Sequence, residues 1–595
     1  MDVAMRIRTK IVCTIGPACS TLDKMIALIE AGMSVARMNF SHATHEQHRE
    51  WIEMLKEARK RTGKPLAIML DTKGPEIRVG HLETPVQVVP GQIVTLVPGM
   101  VAEGNRIPVI PETVLGGLTK GTTVLFDDGY ITSQVVDTDG EEVRVEIINE
   151  GEIRSGKGIN IPNADLDMPL ITDRDISDIQ FGCQCDVDMV AASFVVGPEQ
   201  ILQIRKLLHE AGRPETQVIA KIETARGVEH FDQVLQVADG IMIARGDLGV
   251  EMPLAKVPGL QKMMIHRCQD AGKPSIVATQ MLESMMVSSR PTRAEASDVA
   301  NGIFDSASAV MLSGETAAGK YPIKATQMMN DIVVEAESEF DYEEFFLHAR
   351  VRETQSIPAA VSIATLRTAI AADARAIFCI STGGHTPRLV SQLRPEVPIL
   401  ALTHSEKVYH QLAFEWGVVP IYSEPHPTMQ AAFGAISKWA LANDYVRYGD
   451  LVVLTAGVPY GVAGTTNMMI VQSIGDVAVR GYGGYGRQTY GQVSIIYDPR
   501  SATDISDRIV VLTQASDDAL PLLKRSKGVI LQNHPDDLES ERYLLLVAKA
   551  HDLPVIVGAA SATNLLREDE AVTVDPQNHV VYRGKLTEIP GKTVL

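Results

Sequence analysis

Residues 218–227 read VIAKIETARG, an apolar run that predicts a buried strand and ends with Lys221 and Glu223. Alternate side chains of a strand point to the same face, so these two opposite charges lie side by side. Burying an ion pair for stability alone seldom gains much, although a purely structural pair remains the alternative. The stretch therefore indicates a functional position at the end of a strand.

Seven further short apolar runs have the same character, and amphipathic segments such as PEQILQIRKLLHEAG, residues 198–212, lie between them. The eight runs begin at residues 10, 34, 66, 187, 218, 240, 275 and 309. Strand and helix alternating eight times predict an α/β protein built on a closed parallel (β/α)8 barrel. We assign this barrel to residues 1–73 and 170–340.

Three other regions have different patterns. Residues 74–169 carry many Val, Thr, Gly and Asp residues and no long helical pattern, which predicts an inserted β-barrel domain that serves as a lid. Residues 341–476 alternate again and predict a doubly wound α/β domain. Residues 477–595 predict a linker, GYGGYGRQTYG at 481–491, and an additional α/β domain. No strand or helix pattern flanks those glycines as a dinucleotide loop requires.

The composition describes a globular protein without nucleic-acid or membrane partners. Of 595 residues, 45% are hydrophobic and 22% charged, and no apolar run approaches the ~18 residues of a spanning helix. The net charge of −19 disfavours phosphate backbones as partners. The six cysteines are scattered, which predicts reduced thiols rather than a zinc site. Without an apolar signal segment in MDVAMRIRTKIVCTIG, we expect a cytoplasmic protein.

Polar side chains follow several barrel strands, and in a barrel these strand ends form one mouth. They are Arg37, Asn39, Asp71, Lys73, Lys221, Glu223, Arg245, Asp247, Thr279, Gln280, Ser313 and Glu315. Glu223 and Asp247 offer oxygen ligands that suit Mg²⁺, unless they are solvated rim carboxylates. The cations, with Arg78 of the insertion, predict a phosphorylated or carboxylated substrate, although Arg245 could serve only as a counter-ion for the two acids.

One stretch imitates a nucleotide-binding loop. In SGETAAGKY, from Ser313, the glycines and Lys320 have the spacing of a P-loop. Such a loop needs a hydroxyl-bearing serine or threonine after the lysine to hold Mg²⁺, and Tyr321 stands there. The pattern therefore does not indicate a Walker-type ATPase.

The first 476 residues resemble the pyruvate kinase family. The motifs that carry the resemblance are TKIVCTIGPA, ARMNFSH, LDTKGPEIR, IAKIET, IMIARGDLGVE, ATQMLESM, RPTRAEASDVAN and AVMLSGETAAGKYP. The resemblance implies a glycolytic phosphotransferase that moves the phosphoryl group of phosphoenolpyruvate to ADP. Protonation of the resulting enolate then gives pyruvate, and ATP is the second product.

The resemblance also implies residue roles. Lys221 stabilises the phosphoryl group and the enolate oxygen, Arg37 clamps the phosphate, and Mg²⁺ or Mn²⁺ binds Glu223 and Asp247. Substrate binding falls to Arg37, Lys221, Gly246, Asp247 and Thr279. Thr279, Ser313 and Glu315 relay the proton to the methylene carbon.

Two further sites follow from the resemblance. Asn39, Ser41, Asp71 and Thr72 match the family's K⁺ site, and Glu76 at its position goes with K⁺ dependence. Nucleotide contacts carry over to Asn39, Phe40, Ser41, His42, Arg78 and Lys157.

The region after the barrel resembles the family's regulatory domain. Ser381, Thr382, Gly383, Gly384, His385 and Thr386 predict a phosphate loop for an allosteric effector, with a plain glycine-rich turn as the alternative. The segment TAGVPYGVAGTTN, residues 455–467, lacks basic residues, so AMP or a sugar monophosphate is expected rather than a bisphosphate. The family further implies a homotetramer.

The last ~105 residues resemble the swivelling phosphohistidine domain of enzymes that use phosphoenolpyruvate. The Thr-Ser-His phosphoacceptor of those enzymes is replaced by Glu539-Ser540-Glu541. We therefore expect a catalytically silent module.

Two rival functions stay open at this level. A magnesium-dependent aldolase could use the same pyruvate enolate on such a barrel, with a strand lysine that forms a Schiff base. A non-catalytic metabolite sensor would lack one of the site residues, and none is missing.

Overall fold

The computed structural model describes residues 7–102, 105–162, 164, 166, 168–348, 356–459, 464–500 and 505–586. The chain forms two compact units. Met1–Leu366, Cys379–Ala432 and Thr455–Met468 make up the first, and Arg367–Phe378, Phe433–Leu454 and Met469–Leu595 make up the second. In the parts of the chain that are described, no helix has the length and apolar character to cross a membrane.

A closed barrel of eight parallel strands confirms the predicted fold class. Its strands are Lys10–Ile15, Met33–Asn39, Ala67–Asp71, Met189–Ala192, Gln217–Ile222, Gly240–Ala244, Ser275–Ala278 and Ala309–Leu312. Side chains that point inward, such as Met69, Met242 and Met311, fill the barrel, while those that point outward pack under the helices. Because both faces are buried, the strands are continuous apolar runs rather than alternating ones.

The helices around the barrel begin and end at the residues expected from capping. Thr44, Thr172 and Thr292 each form a capping box at a helix start, and Gly63 and Gly272 end two helices with φ of 62° and 67°. The helices are Leu22–Glu30, His45–Thr62, Asp173–Gln184, Pro198–Glu210, Ala225–Glu229, Phe231–Val237, Arg245–Glu251, Val257–Ala271, Arg293–Phe304, Gly314–Ala317 and Pro322–Ser338.

The chain between the third and fourth barrel strands forms a second, smaller closed barrel. Its seven strands, in spatial order, are Thr123–Phe126, Ile131–Thr138, Val143–Ile147, Ile93–Pro98, Arg106–Ile110, Ile77–Val79 and Gly158–Asn160. Short strands at His81–Leu82, Val86–Val88, Val101–Ala102 and Gly151–Ile153 accompany it. This small barrel has its own apolar core, which includes Val94, Val124 and Phe126. Its position after Asp71 places it next to the mouth of the large barrel.

After the helices Tyr342–His348 and Ile357–Ala371, strands and helices alternate again. The strands are Ala376–Ile380, Ile399–Thr403, Val418–Tyr422, Leu451–Gly457 and Thr466–Ser473, and the helices are His385–Ser391, Glu406–Gln411 and Met429–Ala442. Ile399–Thr403 and Val418–Tyr422 pair in parallel, as a wound α/β domain requires.

The C-terminal region folds around a mixed sheet of eight strands. In spatial order they are Val477–Arg480, Val580–Arg583, Ala571–Asp575, Thr489–Ile495, Ile509–Leu512, Gly528–Leu531, Val555–Val557 and Gly483–Tyr485. Helices Leu520–Leu523, Leu538–His551 and Ala562–Leu565 complete this region.

The prediction that residues 481–491 form a linker is wrong. Gly483–Tyr485 pairs with Val555–Val557, and the strand that begins at Thr489 pairs with two neighbours. A Cβ on Gly481 would lie 2.4 Å from the carbonyl oxygen of Val557. The glycines are therefore required by the close approach of two backbones, which the sequence pattern cannot distinguish from a flexible segment.

Candidate active site

Lys221 lies at the centre of a buried charge cluster at the carboxyl end of the barrel strands. Its Nζ is 2.9 Å from Glu223 Oε1 and 3.0 Å from Asp71 Oδ1, and it donates a 2.6 Å hydrogen bond to Ser193 Oγ. Burial by itself would lower the pKa of Lys221, but Asp71 and Glu223 outweigh it and raise the pKa. The two carboxylates therefore keep Lys221 in its charged ammonium form. The pair is also more buried than a rim position predicts, with Glu223 only 2% exposed.

Asp71 joins Lys221 to a second cation. Its Oδ2 accepts a hydrogen bond from Nε of Arg37, whose Nη1 donates to Thr14 Oγ1 at 3.0 Å. Burial opposes ionisation of Asp71, yet Arg37 and Lys221 together lower its pKa. Arg37 and Lys221 are therefore fixed relative to each other by one carboxylate, and both positive charges meet at the same place.

Ser193 is a member of this cluster that the sequence analysis missed. Besides accepting from Lys221, its hydroxyl lies 3.1 Å from Asp71 Oδ1 and 2.7 Å from the carbonyl oxygen of Thr72. It directly follows the fourth barrel strand, which ends at Ala192. The rule that functional residues follow barrel strands could have found it, but the apolar context of VAASF carries no charge to attract notice.

Glu223 and Asp247 follow adjacent barrel strands. The backbone N–H of Phe194 donates to Glu223 Oε2 at 2.6 Å. Burial, and after it the Glu223 carboxylate, raises the pKa of Asp247 to about 7. A buried carboxylate, Glu223, and a half-buried one, Asp247, form a donor set that fits a divalent cation. The described residues contain no cluster of three or more His, Cys, Asp or Glu side chains that could hold a metal.

Gly246 and Thr279, which follow the sixth and seventh barrel strands, are joined by a hydrogen bond. The N–H of Gly246 donates to Thr279 Oγ1 at 2.8 Å, and that hydroxyl donates to the carbonyl oxygen of Ala278 at 2.6 Å. Thr279 has φ of 69° and Gln280 has φ of 54°. Positive φ is uncommon outside glycine and is especially unusual for a β-branched residue such as Thr279. Such strained backbone is typical of functional sites, where the surrounding structure holds it.

The sequence left open whether Arg245 serves as a counter-ion for Glu223 and Asp247. In the structure Arg245 pairs with neither of these two described residues. It forms a two-pronged ion pair with Asp298, at 2.8 Å from Nη1 to Oδ1 and 2.7 Å from Nη2 to Oδ2. Its Nη2 also donates to the carbonyl oxygen of Thr279 at 2.8 Å. Asp298 is a second residue that the sequence analysis missed, because its helix position gives no sign of the contact.

Glu315 and Ser313 follow the eighth barrel strand, which pairs with the strand that precedes Thr279. The Glu315 carboxylate is 3% exposed and accepts from the backbone N–H groups of Leu282 at 3.0 Å and Ser313 at 2.7 Å. The Ser313 hydroxyl oxygen is buried and makes no hydrogen bond to another described residue. Glu315 therefore holds the loop after Thr279, while the Ser313 hydroxyl is available to a ligand or a water.

The four residues matched to a K⁺ site lie together. Asn39 and Asp71 are opposite each other on neighbouring strands. Asn39 Oδ1 accepts from the N–H of Ser41 at 3.0 Å, and the carbonyl oxygen of Thr72 accepts from Ser193. This concentration of oxygen atoms fits a monovalent cation, although the Asp71 carboxylate already serves Arg37 and Lys221.

A cavity of about 420 Å³ separates the small barrel from the large one. Arg78 and Lys157 line it from the small barrel, and Asp247 lines it from the large one. Lys157 pairs with Asp127 at 2.8 Å, and Arg78 pairs with Glu76. Asn39, Phe40, Ser41 and His42 are not among its described lining residues. Phe40 is 1% exposed and its ring stacks on His48 at 3.9 Å. Its backbone N–H donates to the carbonyl oxygen of Asp71 at 3.0 Å, and its carbonyl oxygen accepts from Arg174 at 2.7 Å, so Phe40 offers no free polar group to a nucleotide.

The predicted effector loop borders a second cavity, of about 290 Å³. Ser381, Thr382 and Thr386 line it, whereas Gly383, Gly384 and His385 do not appear among its described lining. Thr386 Oγ1 lies 2.6 Å from Thr466 Oγ1, and burial lowers the pKa of His385. The described lining contains Glu424 and two histidines but no lysine or arginine.

The segment aligned with the phosphoacceptor lies in the first turn of the helix Leu538–His551. Ser540 is 7% exposed, and its hydroxyl accepts from the backbone N–H of Ala515 at 3.1 Å. Glu541 accepts from the hydroxyl of Tyr482 at 2.9 Å. Both side chains have structural contacts.

Comparison of this chain with known proteins points to one family. The model of the pyruvate kinase barrel domain matches residues 6–326, and that of the pyruvate kinase alpha/beta domain matches residues 359–472. The pyruvate kinase of Bacillus licheniformis is 40% identical over 584 residues, which are 97% of this chain and 99% of that protein. The pyruvate kinase of Geobacillus stearothermophilus is 40% identical over 587 residues, with 98% and 99% coverage. That of Clostridium acetobutylicum is 43% identical over 470 residues, which are 78% of this chain and 99% of that protein. This chain therefore belongs to the pyruvate kinase family.

Proposed function

We propose that the cluster around Lys221 is where this enzyme transfers the phosphoryl group of phosphoenolpyruvate to ADP. The family assignment makes the chain a phosphotransferase with the pyruvate kinase reaction, EC 2.7.1.40. The role of each residue in this reaction is our proposal. The observation that carries the assignment is the position of the Lys221 ammonium between Asp71, Glu223 and Ser193.

Phosphoryl transfer depends mainly on positioning and on neutralising charge. Lys221 and Arg37 bring two fixed positive charges to the phosphoryl group, and Lys221 also stabilises the enolate oxygen that is left behind. Because Asp71 holds both cations, they need not reorganise as negative charge moves between the two substrates. The low exposure of the cluster strengthens these interactions.

Glu223 and Asp247 would hold Mg²⁺ or Mn²⁺, a Lewis acid that neutralises phosphate and carboxylate oxygens when it is bound. Asn39, Ser41, Asp71 and Thr72 would hold K⁺, and Glu76 is the residue that accompanies K⁺ dependence by resemblance. The raised pKa of Asp247 supports the divalent site, because a cation removes the repulsion between the two carboxylates.

Thr279 and Gly246 are proposed to bind the substrate carboxylate. Their mutual hydrogen bond of 2.8 Å would be exchanged for bonds to the substrate, so no buried donor loses its partner. The Thr279 hydroxyl, with the buried Ser313 hydroxyl and a water, would then deliver the proton to the methylene carbon. Glu315 supports this step by holding the loop through Leu282 and Ser313.

The aldolase alternative is not favoured. The family models and the relatives all point to the kinase reaction. A Schiff base also requires a neutral amine, whereas two carboxylates raise the pKa of Lys221. Borohydride trapping with pyruvate should therefore give no covalent adduct.

The small barrel is proposed as a lid that covers the nucleotide. Arg78 and Lys157 would contact ADP phosphates in the cavity of about 420 Å³. By the family resemblance, residues 39–42 would contribute from the large barrel. Closing this cavity would exclude water and so prevent hydrolysis of the phosphoryl group. We propose domain boundaries at 73/74, 169/170, 340/341 and 476/477.

Regulation and assembly remain part of the proposal. The cavity beside Ser381, Thr382 and Thr386 would accept a monophosphate such as AMP or a sugar monophosphate. A homotetramer, a cytoplasmic location and a silent C-terminal module rest on the family resemblance.

The decisive experiment is coupled pyruvate formation from phosphoenolpyruvate and ADP, with and without Mg²⁺ and K⁺. The proposal predicts turnover that needs both cations. Turnover that is unchanged in a Lys221→Met variant would remove the proposed mechanism, while absence of turnover in the unmodified protein would remove the proposed function.

A further inference from the structure

The ion pair between Arg245 and Asp298 connects two helices, and Arg245 also contacts the residue that follows the seventh strand. Arg245 begins the helix that follows the sixth strand, Asp298 lies in the helix Arg293–Phe304, and Thr279 follows the seventh strand. The Arg245 side chain is 13% exposed and the Asp298 side chain 36%, so the guanidinium group is shielded while the carboxylate is partly open to solvent.

The contacts of Arg245 are directed at the backbone of Thr279. Nη2 donates to the Thr279 carbonyl oxygen at 2.8 Å, and Nε donates to the Ala278 carbonyl oxygen at 3.3 Å. Asp298 accepts from the other edge of the same guanidinium group. A planar, two-pronged contact of this kind fixes orientation as well as distance.

Thr279 needs such support because its backbone has φ of 69°. A β-branched residue adopts this conformation only where the surroundings over-determine it. The conformation turns the hydroxyl toward Gly246, whose N–H donates to it at 2.8 Å. The direction of the hydroxyl therefore depends on the carbonyl that Arg245 holds.

We infer that Asp298 is a positioning residue, which acts through Arg245 to hold the Thr279 hydroxyl in the orientation that serves the substrate. This inference deepens the proposed function and rests on it, because Thr279 matters only if it contacts phosphoenolpyruvate. Asp298 itself touches no reacting atom.

A double-mutant cycle with Thr279→Ala and Asp298→Asn tests the inference in the full chain. In the unmodified background, Asp298→Asn should lower kcat by about 10- to 100-fold, which is the effect of a small misplacement of a reacting group. In the Thr279→Ala background the same change should lower kcat by less than about threefold, because the hydroxyl is already gone. The KM for ADP should stay within about twofold of its original value, since Arg78 and Lys157 are untouched.

Asp239→Asn is the matched control. Asp239 also pairs with an arginine that donates to a backbone carbonyl, at 2.9 Å to Arg205, but it lies at the amino end of the sixth strand. Its effect on kcat should be small and the same in both backgrounds. Asp298→Glu, which keeps the charge, should restore part of the activity.

Equal losses from Asp298→Asn in the two backgrounds would overturn the inference and leave the proposed function standing. If Asp298→Asn does not fold, as judged by circular dichroism, Arg245→Lys takes its place in the same cycle with the same expected coupling. Absence of turnover in the unmodified protein would instead contradict the proposed function.

Discussion

Lys221 Nζ lies 3.0 Å from Asp71 Oδ1, and the other oxygen of Asp71 is bound to Arg37. Two residues from the second and fifth barrel strands are thus joined by a carboxylate from the third. This arrangement explains why an ammonium group can be buried without losing its charge, since two carboxylates and a hydroxyl accept its three hydrogens.

Replacement of Lys221 by Met should remove activity and also cost stability. The variant leaves Glu223 without its cation, and breaking a buried pair typically costs about 3–5 kcal/mol. The rate should fall about 10²- to 10³-fold, as when a preorganised donor is lost. Coupled assays and chemical unfolding measure the two effects. Added MgCl₂ should recover part of the stability, and a variant as stable as the original protein would contradict the packing described for Glu223.

Removal of either proposed magnesium ligand should weaken cation binding. Glu223→Gln and Asp247→Asn each take away one of two carboxylates, so Mn²⁺ affinity measured by calorimetry should fall by at least about tenfold. Glu251→Gln is the matched control, because Glu251 lines the same cavity but is bonded to Asn160 at 3.3 Å. Unchanged Mn²⁺ binding in Asp247→Asn would place the metal elsewhere.

Glu76→Lys should make activity independent of K⁺. Glu76 now pairs with Arg78 at 2.6 Å and lies 3.6 Å from Lys73. By the family resemblance, a lysine at this position replaces the charge of the K⁺ ion. Initial rates across a KCl series, with ionic strength held constant by tetramethylammonium chloride, measure the dependence. Glu76→Gln should still require K⁺, and a K⁺ requirement that survives in Glu76→Lys would refute the assignment.

His410 should make the protein sensitive to acid. Its Nδ1 accepts the backbone N–H of Leu66 at 3.3 Å, and burial, helped by Arg59, lowers its pKa from 6.5 to about 3. The unfolded chain takes up a proton below pH 6.5 while the folded chain does not. This contribution to stability is therefore complete above pH 6.5 and is lost as the pH falls toward 3, at about 1.4 kcal/mol per pH unit.

The measurement is the pH dependence of the free energy of unfolding in His410→Asn, which keeps an acceptor but cannot titrate. Its stability should fall less steeply than that of the original protein between pH 6.5 and 5. His551→Asn, which changes an exposed histidine, should follow the original curve. Parallel curves for all three proteins would show that His410 is not the group responsible.

Gly481→Ala should destabilise the C-terminal sheet. The new methyl group would lie 2.4 Å from the Val557 carbonyl oxygen, and overpacking of this kind costs about 1–3 kcal/mol. Limited proteolysis and thermal unfolding detect the loss. Gly434→Ala is the control, because a Cβ there meets nothing within 4 Å and alanine favours its helix. Equal stability of the two variants would favour the linker that the sequence suggested.

The sequence by itself determined the eight-fold alternation, the insertion after the third strand and most of the residues at the barrel mouth. These follow from local rules, because apolar runs with period two or 3.6 and charges at strand ends are visible in single segments. Lys221, Glu223, Asp247 and Thr279 were found in this way. The reaction was indicated by the family motifs, because hydrophobic periodicity carries no information about chemistry.

Only the tertiary structure decided which of these groups bind each other. The pairing of Arg245 with Asp298, the place of Ser193 beside Lys221 and the strand role of residues 483–485 each depend on segments far apart in the chain. Charge type and spacing cannot select among several oppositely charged partners at one barrel mouth, since the choice depends on distances of a few ångströms fixed by packing.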